Sequence, residues 1–197
     1  MVILSANGFQ DKDKCGELLK IIKNKKVFVC TNAIERELYK KKIYQTAKDN
    51  IDEVPSRFDG GDLNLENVYR YLDYYDCIYL AGGSLNLLSD MLSVTEMKEA
   101  LLKFINKGKI FITQGLSSLI AVENLEYLNF IVNCLSEENK LYPHFNYSSI
   151  KTLSLTKDKI VFCPSSLPKV FQGACKIAEK QNRISLTYLK DNEFIVL

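Results

Sequence analysis

Residues 107–121, KGKIFITQGLSSLIA, carry the strongest structural signal in the chain. The Lys-Gly-Lys start is typical of a helix end, and the apolar residues 110–112 predict a short buried strand. A turn rich in glycine and serine follows, and a second apolar run at residues 119–122 predicts the start of a helix. A strand that turns sharply into a helix presents a nucleophile above a parallel sheet, beside N–H groups that stabilise an oxyanion. We call residues 110–121 the elbow, and its predicted apex is Gly115.

The chain alternates between apolar strand-like runs and amphipathic helical runs up to residue 120. The predicted strands are residues 2–5, 27–30, 77–81, 110–112 and 160–163, with a weaker strand at 53–55 before a turn at 58–62. The predicted helices are residues 11–24, 34–50, 64–74, 85–92 and 95–106, the last with Thr95 as its N-cap. Strand-like runs at residues 130–135 and 141–142 follow, and residues 185–189 and 193–196 predict a C-terminal antiparallel hairpin.

This alternation predicts an α/β fold, a three-layer sandwich around a mostly parallel central sheet, with antiparallel additions at the C-terminus. The length of 197 residues fits one domain, so we expect residues 1–197 to form a single domain. Ligands of such sheets bind at the carboxyl ends of the strands. Those ends are predicted at Asn7-Gly8, Thr31-Asn32, Gly82-Gly83, Gln114-Gly115 and Pro164-Ser165.

The composition is that of an ordinary soluble globular protein, with 47% hydrophobic and 25% charged residues. A formal net charge of +2 is too small to favour nucleic acid or a membrane as the main partner, so we expect neither. The N-terminal residues resemble neither a signal peptide nor a membrane anchor, and the six cysteines include no C-x-x-C pair. We therefore expect a cytoplasmic protein with reduced thiols and no metal site.

Four blocks, in order along the chain, resemble the peptidase E (aspartyl dipeptidase) and cyanophycinase family. LSANGF at residues 4–9 is similar to the family's opening strand and S-N-G-F turn. IYLAGGSLNLL at residues 78–88 resembles its strand and G-G-N-T-F-x-L-L loop, and the elbow resembles K-G-K-P-Y-I-G-x-S-A-G-A/S-x-I-A. PHFN at residues 143–146 is similar to P-H-[FY]-[DNT]. The resemblance covers most of residues 1–150.

The resemblance implies a class I glutamine-amidotransferase-like, or flavodoxin-like, fold and a serine peptidase that needs no metal or cofactor. Members of the family release N-terminal aspartate from small peptides or cut an aspartyl polymer, so the implied partner is a small peptide. The family uses a serine nucleophile on the elbow, a histidine base and an acidic residue. By position, His144 is the implied base, and Glu123 or Glu126 is the substitute for the acidic residue.

The family's nucleophile position falls on Gly115, which has no side chain, so an acyl-enzyme cannot form there. Ser117 is the nearest candidate nucleophile, although two residues along a helix rotate a side chain by about 200°. The N–H groups of Gly83 and Leu116 are the candidate oxyanion donors. Gly82 and Asn7 complete the candidate pocket at the strand ends, together with Gly115 itself.

Three functions are open at this point. The first is a peptidase-E-like serine hydrolase that acts on small peptides, including those with N-terminal Asp, through His144 and Ser117. The second is a catalytically inactive relative that binds a small molecule or a partner protein, and the residues favour it over a working peptidase. The third is a cysteine-dependent hydrolase or amidotransferase that uses Cys30 or Cys163 at a strand end. A homodimer is left open as well.

Four tyrosines cluster in and just after one predicted helix: Tyr69, Tyr71, Tyr74 and Tyr75. We expect this cluster to pack the helix rather than to form a stacking platform for bases. The lysine-rich runs at residues 23–26 and 40–42 are expected to be solvated faces.

Overall fold

A six-stranded sheet forms the centre of the fold. The structure, a computed structural model, describes residues 1–13, 15–51, 57–135, 146–162, 169–191 and 193–197. The strands are β1 (Val2–Ser5), β2 (Lys26–Cys30), β3 (Arg57–Gly61), β4 (Cys77–Leu80), β5 (Ile110–Gln114), β6 (Lys159–Phe162), β7 (Leu186–Leu189) and β8 (Phe194–Val196). The central sheet has the order β3-β2-β4-β5-β1-β8, and β6 pairs with β7 in a separate two-stranded sheet.

Helices connect most of the strands, as the alternating pattern predicts. They are α1 (Gly16–Ile22), α2 (Glu37–Asn50), α3 (Val68–Tyr74), α4 (Leu85–Ser93), α5 (Thr95–Asn106), α6 (Glu126–Asn133) and α7 (Lys169–Asn182). A 3₁₀ helix, Gly115–Ala121, forms the second half of the elbow. A short 3₁₀ turn, Tyr147–Ser149, follows α6. Within the described ranges, no helix has both the length and the apolar character needed to cross a membrane.

Helices cover both faces of the sheet, which confirms the predicted three-layer α/β sandwich. Neighbouring strands from β3 to β1 pair in parallel, and β8 joins antiparallel beside β1. One buried cluster connects alternate strand residues such as Ile3 and Val29 to α1 and α2. The opposite cluster connects Leu4, Cys30 and their neighbours to α3, α4, α5, α6 and α7. The strands β1, β4 and β5 are buried on both faces, which explains their unbroken apolar runs.

Three predictions about strands are wrong. Residues 58–62, predicted as a turn, belong largely to β3, which is half-buried at the sheet edge and therefore lacks an apolar run. Residues 130–135, predicted as a strand, lie mainly in α6, whose buried side chains follow helical spacing. The predicted C-terminal hairpin does not form, because β7 pairs in parallel with β6 and β8 pairs with β1. The antiparallel addition at the C-terminus is confirmed, but its partner is β1.

Several helix starts also differ from the predictions: α1, α2 and α3 begin at Gly16, Glu37 and Val68 rather than at residues 11, 34 and 64. Val94 is the N-cap of α5, and Thr95 begins the helix without a side-chain capping bond. The helical run predicted from residue 119 begins earlier, at Gly115, because the chain turns directly after β5. The strands predicted at residues 53–55 and 141–142 lie outside the described residues.

Lys109 links the start of β5 to the end of α3. Its ammonium group donates hydrogen bonds to the carbonyls of Leu72, Asp73 and Tyr75, at 2.6, 2.9 and 2.8 Å. The neighbouring Lys107 forms an exposed ion pair with the carboxylate of Asp73, with an N–O distance of 2.7 Å. Lys109 therefore satisfies the last carbonyls of α3, where a cation also interacts favourably with the helix dipole.

Replacing Lys109 with Met keeps most of the aliphatic stem and removes the three hydrogen bonds. We expect Lys109→Met to lower the free energy of unfolding by about 1–2 kcal/mol, because the carbonyls lose a charged donor. Lys107→Met is the matched control, with a much smaller expected loss because exposed ion pairs contribute little. Urea unfolding followed by far-UV circular dichroism measures both variants, and equal losses would contradict the capping role of Lys109.

Candidate functional site

Gly115 adopts a backbone conformation that residues with side chains rarely take, at the point where β5 ends. Gln114 is extended, and Gly115 then has a φ of +56°, in the left-handed region that favours glycine. A Cβ added to Gly115 would meet the carbonyl oxygen of Ala6 and the ring of Phe162 at 3.6 Å, which is ordinary contact. A Cβ would therefore meet no clash at this buried apex, although its φ disfavours a side chain, and glycine offers no nucleophile there.

The serines that follow the apex face the interior. Ser117 is 0% exposed, and its hydroxyl donates to the carbonyl oxygen of Ala81 at 2.9 Å. Ser118 is equally buried; its hydroxyl accepts a hydrogen bond from Thr113 at 2.8 Å and donates one to the Ser5 carbonyl at 3.4 Å. These bonds tie the 3₁₀ helix to the ends of β4 and β1. In this arrangement the Ser117 hydroxyl is bonded to the backbone and closed to solvent.

The side chain of Gln114 bridges two strand ends beside the apex. Its amide oxygen accepts hydrogen bonds from the Gly82 N–H, at 3.2 Å, and from the Tyr79 hydroxyl, at 2.5 Å. The Tyr79 oxygen in turn accepts a hydrogen bond from the Phe9 N–H at 3.4 Å. This network crosses the carboxyl ends of β1, β4 and β5. It occupies the N–H of Gly82, a residue expected to line the oxyanion site.

Two glycines at strand ends pack too closely for a side chain. A Cβ added to Gly8, whose φ is +54°, would lie 2.5 Å from the Tyr79 hydroxyl. A Cβ added to Gly83 would lie 2.1 Å from the carbonyl oxygen of Ala33, which already accepts a hydrogen bond from the Ser84 N–H at 2.7 Å. Close packing against the Tyr79 side chain explains Gly8, and close packing against the Ala33 backbone explains Gly83. Gly83 itself is exposed, between the half-buried Gly82 and Ser84.

The remaining pocket candidates are placed by the backbone around the elbow. Asn7 is half-buried beyond β1, and its carbonyl accepts a hydrogen bond from the Gln10 N–H at 3.1 Å. Leu116 is half-buried and packs against the core. Glu123 is exposed, and its N–H donates to the Thr156 carbonyl at 2.8 Å.

Several other candidates carry no structural description. His144, the implied base, lies outside the described residues, and so do Cys163 and residues 164–165. Glu126 is exposed in the first turn of α6. The described part of the site therefore brings together Gly82, Gly115 and Ser117 at neighbouring strand ends.

Cys30 is a buried thiol that stays protonated at neutral pH. It is 1% exposed, and its sulfur donates a hydrogen bond to the side-chain oxygen of Asn32 at 2.9 Å. Burial raises the pKa of Cys30 to about 12. Asn32 also bonds the N–H and carbonyl of Leu63, so this turn is a structural junction. No three His, Cys, Asp or Glu side chains in the described ranges are grouped as metal ligands.

Sequence reasoning missed the hydrogen bond between the Tyr79 hydroxyl and the Gln114 side chain. Tyr79 is 0% exposed within the apolar run of β4, and Gln114 is the polar residue that ends β5. A buried hydroxyl nearly always has a hydrogen-bond partner. A tyrosine inside an apolar strand was therefore the available signal that a polar partner must lie close to it.

Comparison with known proteins supports the fold. The sequence matches no family model and no curated protein. A peptidase E protein from Listeria monocytogenes EGD-e has a similar structure, with a TM-score of 0.67 and 17% identity over 100% of this chain and 93% of that one. A peptidase from an acI-B1 Actinobacterium has a TM-score of 0.58 and 13% identity over 88% of this chain and 74% of that one. At these identities the likeness establishes the α/β fold.

Removing the Gln114 amide leaves the Tyr79 hydroxyl and the Gly82 N–H without their acceptor. We expect Gln114→Leu to lower the free energy of unfolding by about 2 kcal/mol, because a buried donor without a partner is costly. Tyr79→Phe removes one of the two donors, so the losses should not add. A double-mutant cycle by urea unfolding should give a coupling free energy of about 1 kcal/mol. Additive losses would contradict the network.

The burial of Cys30 also predicts its reactivity. We expect iodoacetamide to alkylate the half-buried Cys134 well before Cys30, because Cys30 is closed to solvent and its thiol is protonated. Mass spectrometry of the digested protein measures alkylation at each cysteine. Faster reaction of Cys30, with the circular dichroism spectrum unchanged, would support a cysteine-dependent function instead.

Proposed function

We propose that this chain is a peptidase-fold protein that binds a small peptide or another small ligand at the elbow without acyl-transfer chemistry. The observation that carries the proposal is the apex. Gly115 has the left-handed conformation of a strained elbow, but it has no side chain to attack a carbonyl group. Loss of a triad nucleophile typically lowers turnover by about a million-fold.

The surrounding hydrogen bonds support the same proposal. The Ser117 hydroxyl is fully buried and bonded to the Ala81 carbonyl, and the Gly82 N–H is bonded to Gln114. An oxyanion hole needs N–H donors that are directed at the reacting group. For Ser117 to act as a nucleophile, its hydroxyl would have to break its bond to Ala81 and move out of the core.

Binding at the elbow is supported by its position in the fold. The carboxyl ends of parallel strands are where open α/β sheets bind their ligands. Gly83 is exposed there, whereas Gly115 is buried in the elbow. The two similar structures described above belong to proteins named as peptidases, which favours a peptide over other ligand classes.

A cytoplasmic location belongs to the same proposal. Cys15, Cys30 and Cys77 are buried and form no disulfide. Buried reduced thiols are compatible with a reducing compartment.

The proposal predicts that the protein does not form a covalent serine adduct at the elbow. Incubation with a fluorophosphonate probe should leave Ser117 unlabelled. The unmodified protein should hydrolyse a panel of Asp-X dipeptides no faster than the Ser117→Ala variant does. The reason is that the only elbow hydroxyls are buried and hydrogen-bonded within the described site. Peptide-resolved mass spectrometry measures labelling, and release of free aspartate measures hydrolysis.

Ser149, an exposed serine of the short 3₁₀ turn, provides the matched control. Aspartate release that is abolished by Ser117→Ala and unaffected by Ser149→Ala would establish a serine hydrolase and overturn the proposal. Binding is tested separately by NMR titration with the same dipeptides. We expect the amide chemical shift of Gly83 to change, with the amide of Gly173 in α7 as the reference signal. An unchanged Gly83 chemical shift would contradict peptide binding at the elbow.

A further inference from the structure

An open cleft of about 540 Å³ lies at the β3 edge of the sheet. The strands β2 and β4 separate β3 from β5, so this cleft is distinct from the elbow. We call it the tyrosine cleft and define it by Arg57, Asp59, Arg70, Tyr71, Tyr74 and Tyr75. Its volume falls in the range of about 300–1,000 Å³ that is typical of small-molecule sites.

Aromatic rings from α3 and the residue after it form one wall of the tyrosine cleft. Tyr75 is 4% exposed and packs edge-to-face against Tyr71 and Tyr74, with centroid distances of 5.9 and 5.0 Å. Tyr74 is 40% exposed, and Tyr71 is half-buried. The sequence predicts only helix packing for these tyrosines. In the structure Tyr75 belongs to the core and Tyr71 packs against it, and Tyr71, Tyr74 and Tyr75 also line the cleft.

Two arginines lie over these rings. The guanidinium carbon of Arg57 is 5.1 Å from the centre of the Tyr74 ring, and that of Arg70 is 5.1 Å from the centre of the Tyr71 ring. Both arginines are exposed. Stacking on an aromatic ring leaves the edge of a guanidinium group directed outward, where its N–H groups can bind an anion.

Asp59 holds Arg57 in place but does not pair with Arg70. Its carboxylate accepts a hydrogen bond from Arg57 at 2.7 Å and another from the Tyr75 hydroxyl at 2.5 Å. Arg57 also donates to the Tyr74 hydroxyl at 2.9 Å. Arg70 has no carboxylate partner in the described part of the chain. The cleft is therefore partly preorganised before any ligand arrives, and the residues that define it carry two guanidinium groups and one carboxylate.

We propose that the tyrosine cleft binds a small ligand that combines a planar ring with an anionic group, of which a nucleoside monophosphate is the test case. The ring stacks on the outer face of a guanidinium group, because Arg57 and Arg70 already lie over the tyrosine rings. The phosphate pairs with Arg70 and with the remaining donors of Arg57, because the guanidinium fork matches phosphate geometry. This inference is independent of the function proposed for the elbow.

Titration of the full chain with AMP, by calorimetry and by NMR, tests the proposal. We expect saturable binding with a dissociation constant below about 1 mM, and shifts centred on the amides of Tyr71 and Tyr74. Adenosine lacks the anion and inorganic phosphate lacks the ring, so each should bind at least about tenfold more weakly. Arg70→Gln should weaken AMP binding about five- to tenfold, because it removes the unpaired cation.

Arg36→Gln is the matched control, since Arg36 is also exposed and lies 6.0 Å from the ring of Tyr39, outside the cleft. We expect it to leave AMP binding unchanged. Absence of saturation up to about 10 mM would overturn the proposal. Equal effects of the two arginine substitutions would also overturn it, and so would shifts confined to Gly83 at the elbow. If inorganic phosphate bound as tightly as AMP, the ligand ring would contribute nothing to binding, and this result would overturn the proposal.

Discussion

The bend between β5 and its 3₁₀ helix places buried polar groups where little solvent reaches them. β5 lies between β4 and β1, so its end is enclosed on both sides. A chain that leaves a strand at this point must satisfy its hydrogen-bonding groups locally, because a buried unpaired group costs about 1–3 kcal/mol. Ser117 and Ser118 do this with hydroxyl bonds to neighbouring strand ends, and Gln114 does it by accepting from Tyr79 and Gly82. The packing of the surrounding turns depends on this arrangement.

The same hydrogen bonds support the proposal that the elbow carries out no acyl transfer. A catalytic elbow keeps a nucleophile and free N–H donors directed at the place where charge develops, and such strained, unsatisfied arrangements lower stability. Here the Gly82 N–H has an internal acceptor, and the Ser117 hydroxyl has a carbonyl partner. Glycine at position 115 also avoids the strain of a side chain in the left-handed region. Each of these features favours a stable bend over acyl transfer, which supports a binding role.

Sequence periodicity identified β1, β2, β4 and β5 because each is a short apolar run covered on both faces. It failed for β3, since an edge strand is paired on one side and tolerates polar residues such as Asp59. The pairing of β7 and β8 depends on which sheet edges are available, and that is not a local property. Glycine in a strand–turn–helix pattern located the apex. The hydrogen bonds of Gln114 and Ser117 could not be predicted from the sequence, because their partners Gly82 and Ala81 lie 32 and 36 residues away along the chain.

The centre and the β3 edge of this sheet leave different possibilities for a ligand. At the centre, parallel neighbours enclose the strand ends, so most polar groups there bond to one another. At the edge, Arg57 and Arg70 are exposed and stacked on tyrosine rings, so a ligand anion meets cations without deep burial. Little desolvation then opposes binding. Because β2 and β4 separate the two regions, recognition at the tyrosine cleft does not depend on whether the elbow carries out a reaction.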